Sequence, residues 1–162
     1  RVLFRSNKIM SQNISTLPIN TDCVFIGALP SNYFDVYPDR LTLVKNLIQS
    51  NKRIGIVFNT DTFTGKGDHW VSVYIQGSLL HGNRLTLHYF DSNGDPPNKY
   101  ILSFIHKISP TKLVVNDHLY QKQDGLCGLY SIHYIMCKFR GGMCRMNDGV
   151  ISKKRTLYFS KK

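Results

Sequence analysis

The sequence contains no glutamate. Its ten acidic residues are all aspartates, against 21 Lys and Arg, and the formal net charge is +11 with a pI near 9.6. A chain this poor in anions suits a polyanionic partner or an acidic environment. Long apolar runs are also missing. None reaches the ~18 residues of a membrane-spanning helix, and no secretory signal is visible. The four cysteines, Cys23, Cys127, Cys137 and Cys144, form no CxxC and no metal-type Cys/His spacing. That argues against a zinc ribbon or a disulfide scaffold and for a reduced, intracellular protein that needs no metal. No repeat, low-complexity segment or nucleic-acid-binding motif is present. Binding to DNA would therefore rest on non-specific backbone electrostatics.

What is present is a chain of 162 residues, enough for one domain with a proper core. Met10-Ser11-Gln12 reads as a start, with residues 1–9 upstream of it. Residues 1–16 are polar and expected to be disordered, leaving a single domain over 17–162. The run 22–31 is apolar and ends in turn residues. Leu41, Val44, Leu47 and Ile48 share one face of a predicted helix over 39–49, with Asp39 and Ser31 both open as its N-cap. Strands are predicted over 53–58, 69–75 and 84–90, with short ones at 113–116 and 119–121. Helices are predicted over 100–108 and 127–139, the latter closed by Gly141-Gly142. Strands flanked by helices make the fold class α+β.

Cys127 carries the strongest chemical signal. Asp124-Gly125 is a loop, and Leu129, Ile132, Ile135 and Met136 then recur on one helix face. Cys127 thus falls in the first turn of a buried helix. Unpaired N–H groups and their partial positive charge favour a thiolate there, in a range of roughly 3.5–7.5 against ~8.5 for a free thiol. Gly128 leaves room for another chain to approach the sulfur.

A thiolate nucleophile needs an imidazole, and the imidazole needs an orienting acceptor. His69 opens one predicted strand and Asp91 closes the following one. If these strands are antiparallel neighbours, the two side chains meet. An oxyanion would then be held by the Cys127 N–H and by a side-chain amide, with Gln121 and Gln123 as the candidates. Each residue alone has a structural explanation: a strand-start histidine, a turn aspartate, a solvated glutamine, a core cysteine. The ordered set of four is what points to catalysis.

His69-Trp70 opening a strand, Tyr89-Phe90-Asp91-Ser92 closing one, then Gln121 and Cys127-Gly128, resemble the SUMO/ubiquitin-like-protein cysteine proteases. The adenovirus-protease-like (adenain-like) members of that clan are similar through Ile54-Gly55-Ile56-Val57-Phe58-Asn59-Thr60, the Thr64-Gly65-Lys66-Gly67 loop and His69-Trp70. The resemblance spans 22–136. It departs from adenain at Asp91, where adenain has a glutamate, and from the SUMO proteases at Leu126, where they have an aspartate. Asp91 and the Gln121–Cys127 spacing follow the SUMO-protease pattern, which also favours Gln121 over Gln123.

The resemblance implies a papain-like (permuted) cysteine protease fold: a central, mostly antiparallel sheet packed by helices, with the nucleophile at the N-terminus of a buried helix. It implies a thiol endopeptidase cutting after small residues, at Gly-Gly or Gly-X sites, with catalytic His69, Asp91, Gln121 and Cys127. Trp70 would roof a narrow substrate tunnel, and Trp70 and Gly128 would be the substrate-binding residues. Virion precursors would be the substrates, DNA and a basic viral peptide the activators, and the host nucleus or virion the location, with the enzyme a monomer. The alternatives are a deubiquitinase or deSUMOylase, and a basic nucleic-acid-binding protein with a relict protease fold.

Overall fold

The computed structural model describes residues 22–78, 84–141 and 144–146. The segment 1–16 expected to be disordered, and the basic end of the chain, lie outside the described residues. Five strands run side by side in chain order: β1 (Cys23–Pro30), β2 (Arg53–Asn59), β3 (Trp70–Ser78), β4 (Arg84–Phe90) and β5 (Lys112–Val115). The central pairs β2/β3 and β3/β4 are antiparallel, and the outer pairs β1/β2 and β4/β5 are parallel. The sheet is mixed, antiparallel at its centre and parallel at both margins.

Parallel neighbours need a helical crossover. The first is supplied by α1 (Tyr33–Val36) and α2 (Asp39–Gln49), the second by α3 (Lys99–Ile108). These helices cover one face of the sheet. Ile54, Ile56 and Phe58 of β2 and Val71, Val73 and Ile75 of β3 point into that layer, with Val44, Ile101 and Phe104 opposite. The last helix, α4 (Cys127–Arg140), covers the other face. Ile132, Ile135, Met136 and Phe139 pack there on Val57 and Tyr74. Alternate residues of β2 and β3 thus go to opposite layers, as the two-residue strand period requires.

Helix α4 begins without a side-chain cap, because Leu126 occupies the N-cap position. A missing cap costs roughly 1 kcal/mol. Burying each large apolar side chain contributes roughly 1.5–3 kcal/mol. With four such side chains against the sheet, packing decides where α4 sits and its first N–H groups stay available. Gly55 sets how closely it sits: a Cβ there would lie 2.6 Å from Ile135 Cγ2 and 2.9 Å from Phe139 Cζ. At the other end Gly141 adopts φ 70° and closes the helix, as its sequence suggests.

Three local features differ from the sequence reading. Neither Asp39 nor Ser31 caps α2: Asp39 is its first residue, Pro38 precedes it, and the Ser31 hydroxyl donates to the Asp61 carbonyl at 3.0 Å. The four-residue α1 is too short to show a period. Residues 119–121 form no strand, since the N–H groups of Tyr120 and Gln121 both donate to the one carbonyl of Ser92, at 2.8 and 2.9 Å.

Gly55→Val should therefore push α4 off the sheet. Overpacking of this kind costs about 1–3 kcal/mol, so urea unfolding should show a lower midpoint with an unchanged slope. An unchanged midpoint would contradict the close approach.

Candidate active site

The pairing Ser72↔Phe90 fixes the geometry at one end of the sheet. It puts the start of β3 beside the end of β4, so His69 and Asp91, each just outside its strand, become neighbours. The His69 Nε2–H donates to Asp91 Oδ1 at 2.7 Å. Asp91 is 1% exposed. The same oxygen accepts the backbone N–H of Asn93 at 2.7 Å.

Two asparagines that the sequence reading passed over hold these residues still. Asn59, at the end of β2, accepts the N–H groups of Asp61 and Asp68 on one side-chain oxygen, at 2.9 and 3.3 Å. That staples both ends of the loop 60–68, while Thr60 N–H donates to the His69 carbonyl at 2.8 Å. Asn116, just after β5, brackets the Asp91 backbone. Its Oδ1 accepts the Asp91 N–H at 2.7 Å and its Nδ2 donates to the Asp91 carbonyl at 2.6 Å. Asparagine is common in loops for many reasons, so neither carries a signal readable without the partner strand.

Cys127 lies at the first turn of α4, whose start is anchored beside β4 by a small cluster. Leu126 packs there with Phe90 and Tyr130, and Phe90 stacks on Tyr134 at 4.4 Å between ring centres. Leu126 is thus a core residue at the position where the SUMO proteases carry an aspartate.

With Nε2 committed to Asp91, Nδ1 is the ring nitrogen left for the Cys127 sulfur, and the two side chains are hydrogen-bonded. Burial alone pushes the thiol up. The His69 hydrogen bond, the N–H of Trp70, the imidazolium charge and the N–H of Gly128 outweigh it, and the Cys127 pKa falls below the usual thiol value. Burial pushes His69 down. Its bonds to Asp91 and Cys127 and their negative charges more than reverse this, raising it to about 10. Near neutral pH His69 is therefore charged, and its charge and hydrogen bond favour the thiolate form of Cys127.

His69, Asp91, Cys127 and Gln121 line one cleft of about 450 Å³, together with Thr60 and Asp68 of the stapled loop. Gln123 is exposed and does not line it. Ser92, fully buried, donates its hydroxyl to Gln121 Oε1 at 2.9 Å. With the oxygen occupied, the amide N–H₂ of Gln121 is free to face away from Ser92. Tyr130 of α4 holds the same loop by donating to the Tyr120 carbonyl at 3.0 Å.

Trp70 is half-buried against the α4 layer rather than lining the cleft, and its carbonyl accepts the Ser131 hydroxyl at 3.0 Å. Gly128 contributes its N–H at the sulfur. Among the described residues no group of three or more His, Cys, Asp or Glu side chains is arranged to hold a metal, and no helix is long and apolar enough to cross a membrane.

No family model matches the chain. It is 31% identical over 129 residues to a protein of Acanthamoeba polyphaga mimivirus provisionally named a thiol protease, covering 72% of this chain and 41% of that one. It is 28% identical over 93 residues to the SUMO-1 cysteine protease of African swine fever virus, covering 52% and 33%. The crystal structure of that viral protease superposes with a TM-score of 0.52 at 26% identity, over 64% of this chain and 43% of that one. The C-terminal Ulp1 protease domain, solved with the yeast orthologue of SUMO, superposes with a TM-score of 0.62 at 14% identity, over 96% and 72%. The chain is thus a homologue of viral thiol proteases and has the papain-like α+β fold of the SUMO-protease clan. It spans less than half the length of the curated relatives it matches.

Alkylation of Cys127 by iodoacetamide, followed by peptide mapping across pH, tests the ion pair. The midpoint should lie below that of a free thiol, ~8.5. His69→Ala removes the imidazole's hydrogen bond and charge and leaves burial with only the N–H groups of Trp70 and Gly128 against it, so the midpoint should rise and the rate at pH 7 should fall. An unchanged profile in His69→Ala would break the pairing.

Proposed function

We propose that this chain is a cysteine endopeptidase of the viral and SUMO-protease clan, with Cys127, His69, Asp91 and Gln121 as its catalytic set. The observation that carries the reading is one imidazole bonded to a buried carboxylate at 2.7 Å through one nitrogen and to a helix-start thiol through its other face, in a single cleft. The Cys127 thiolate attacks the scissile carbonyl and a carbon–sulfur bond forms. The Gln121 amide and the Cys127 N–H receive the oxyanion. His69 passes its proton to the leaving amine as the C–N bond breaks, giving a thioester. A water deprotonated by His69 then attacks the thioester, and the thiolate leaves. Asp91 keeps the ring oriented and its charged form favoured throughout.

The resemblance to adenain-like proteases supports substrates cut after small residues, at Gly-Gly or Gly-X sites in viral precursor proteins. In this reading Gly128, whose N–H lies at the sulfur, leaves room there for a substrate backbone, while Trp70 packs under α4 and does not roof the cleft. DNA and a basic peptide act as activators, in an infected cell's nucleus or in the virion. The cleft itself carries Asp68, Asp95 and Asp124 and no Lys or Arg among its described lining residues. A polyanion is therefore held on other parts of the surface.

The ubiquitin-like-protein reading has its own support: the swine fever virus relative is named a SUMO-1 cysteine protease, and the Ulp1 structure holds a SUMO orthologue. A panel of Gly-Gly peptides and ubiquitin-like fusions, each with and without DNA, separates the two. Peptide cleavage stimulated by DNA supports precursor processing. Cleavage of fusions alone supports deconjugation. Salt-sensitive DNA binding, with neither cleavage nor reaction with an active-site thiol probe, returns the chain to a relict fold.

Two substitutions test the roles. Cys127→Ala should abolish cleavage while the unfolding midpoint moves little. Ser92→Ala frees the Gln121 amide to rotate, so kcat should fall by about tenfold to a hundredfold, within the range of losing one oxyanion donor, with KM little changed. Alkylation of Cys127 by iodoacetamide, which passes through no oxyanion, should keep its rate. If alkylation slows in step with kcat, Ser92 supports the fold and not the oxyanion.

A further inference from the structure

Helix α4 carries a second thiol cluster, on residues that the reaction does not use. His133 and Cys137 lie one turn apart, with His133 Nε2 3.4 Å from the Cys137 sulfur. The same nitrogen lies 3.2 Å from the Arg145 carbonyl, so one N–H faces both acceptors. The left-handed Gly141 reverses the chain at the helix end. Cys144 comes back against the helix, its thiol 3.9 Å from the Tyr134 carbonyl and within hydrogen-bonding reach of the Cys137 sulfur. All four cysteines are free thiols, and both members of this pair are partly exposed.

The two sulfurs are unequal. The hydrogen bond from Cys144 holds the Cys137 thiol well below its ordinary value against the pull of burial, and His133 and the charge of Arg140 add to it. The same bond and burial hold Cys144 up as a thiol. One partner is therefore a ready nucleophile and the other a protonated neighbour. Among the described residues they belong to no group of three or more His, Cys, Asp or Glu side chains arranged to hold a metal.

We propose that Cys137 and Cys144 form an oxidation site, at which a hydroperoxide converts the pair to a disulfide that ties the chain after Gly141 to the last turns of α4. The Cys137 thiolate attacks one peroxide oxygen. A sulfur–oxygen bond forms, the O–O bond breaks, and the departing hydroxide or alkoxide takes a proton from water. Cys144 then gives up its proton and attacks the Cys137 sulfur. The S–S bond forms, the S–O bond breaks and water leaves. Two thiols lose two electrons, and the peroxide accepts both. Such a bond in a reducing compartment is transient, formed under oxidant and reversed by thiols. The site is independent of the protease reading and stands or falls without it.

The test is hydrogen peroxide titration of the intact chain with peptide mapping by mass spectrometry. A cross-link between the Cys137 and Cys144 peptides, two hydrogens lighter and reversed by dithiothreitol, is expected before any other cysteine pair joins. In Cys144→Ala the reaction should stop at a sulfenic acid on Cys137, trapped by dimedone. His133→Ala should move the pH midpoint of cross-linking upward, since the hydrogen bond and charge of His133 help hold the Cys137 thiol down. If a replacement unfolds the chain, the native protein against the same protein in urea gives the comparison alone. Oxidation confined to Cys127 or Cys23, or a Cys137–Cys144 bond that forms equally fast in urea, overturns the proposal.

Discussion

The antiparallel register of β3 on β4 is the constraint from which the site follows. A slip of one residue would turn Val71, Val73 and Ile75 out of their layer and send the strand's other face into it. Burial of those side chains makes the slip expensive, and the pairing Ser72↔Phe90 then leaves no choice about which residues meet beyond the strand ends. His69 and Asp91 are those residues. A second constraint sets the remaining coordinate. The absent side chain at Gly55 lets α4, which carries Cys127 in its first turn, lie close on β2. Cys127 and His69 come from segments far apart in sequence and are placed by packing, not by each other.

Buried polar side chains in this molecule serve that arrangement. Ser31, Asn59, Asp91, Ser92 and Ser131 all lie below the surface and each bonds to the backbone or to a side chain around the cleft. An unpaired buried polar group costs roughly 1–3 kcal/mol, so each is acceptable only where its partner is fixed. The network is therefore rigid for the same reason that it is satisfied. Asn116 and Ser92 join the two halves of the chemistry: Asn116 ties the end of β5 to Asp91, and the next residue, Ser92, holds the loop that bears Gln121. Buried Ser72 is the exception, since its hydroxyl has no partner among the described residues, and no physical account of it follows from its surroundings.

The elements that carried long periodic patterns were legible from sequence. The 39–49 helix, the β4 strand and α4 follow from apolar spacing, because each buries a continuous face. His69, Asp91 and Cys127 were legible as strand-end and helix-start residues, and strand order then followed chain order. What stayed hidden has a common cause. The parallel pairing of β1 and β5 at the margins, the roles of Asn59 and Asn116, and the convergence of Tyr120 and Gln121 on the Ser92 carbonyl all depend on contacts across the fold. A side chain that bonds to a distant backbone group leaves no trace in local spacing. The position of Trp70 is the same kind of fact, set by what α4 presents to it.

The charge distribution gives a last constraint on how such a site meets its substrate. The chain carries +11 overall, yet four of its ten aspartates, Asp68, Asp91, Asp95 and Asp124, line one cleft. Asp91 is occupied by His69, whereas the other three are exposed. Their charges oppose any further anion entering the cleft. It also disfavours an acidic segment of substrate beside the sulfur and favours a neutral or cationic one. No Lys or Arg is among the described lining residues, so the acidic character of the cleft is not offset from within it despite the chain's net charge.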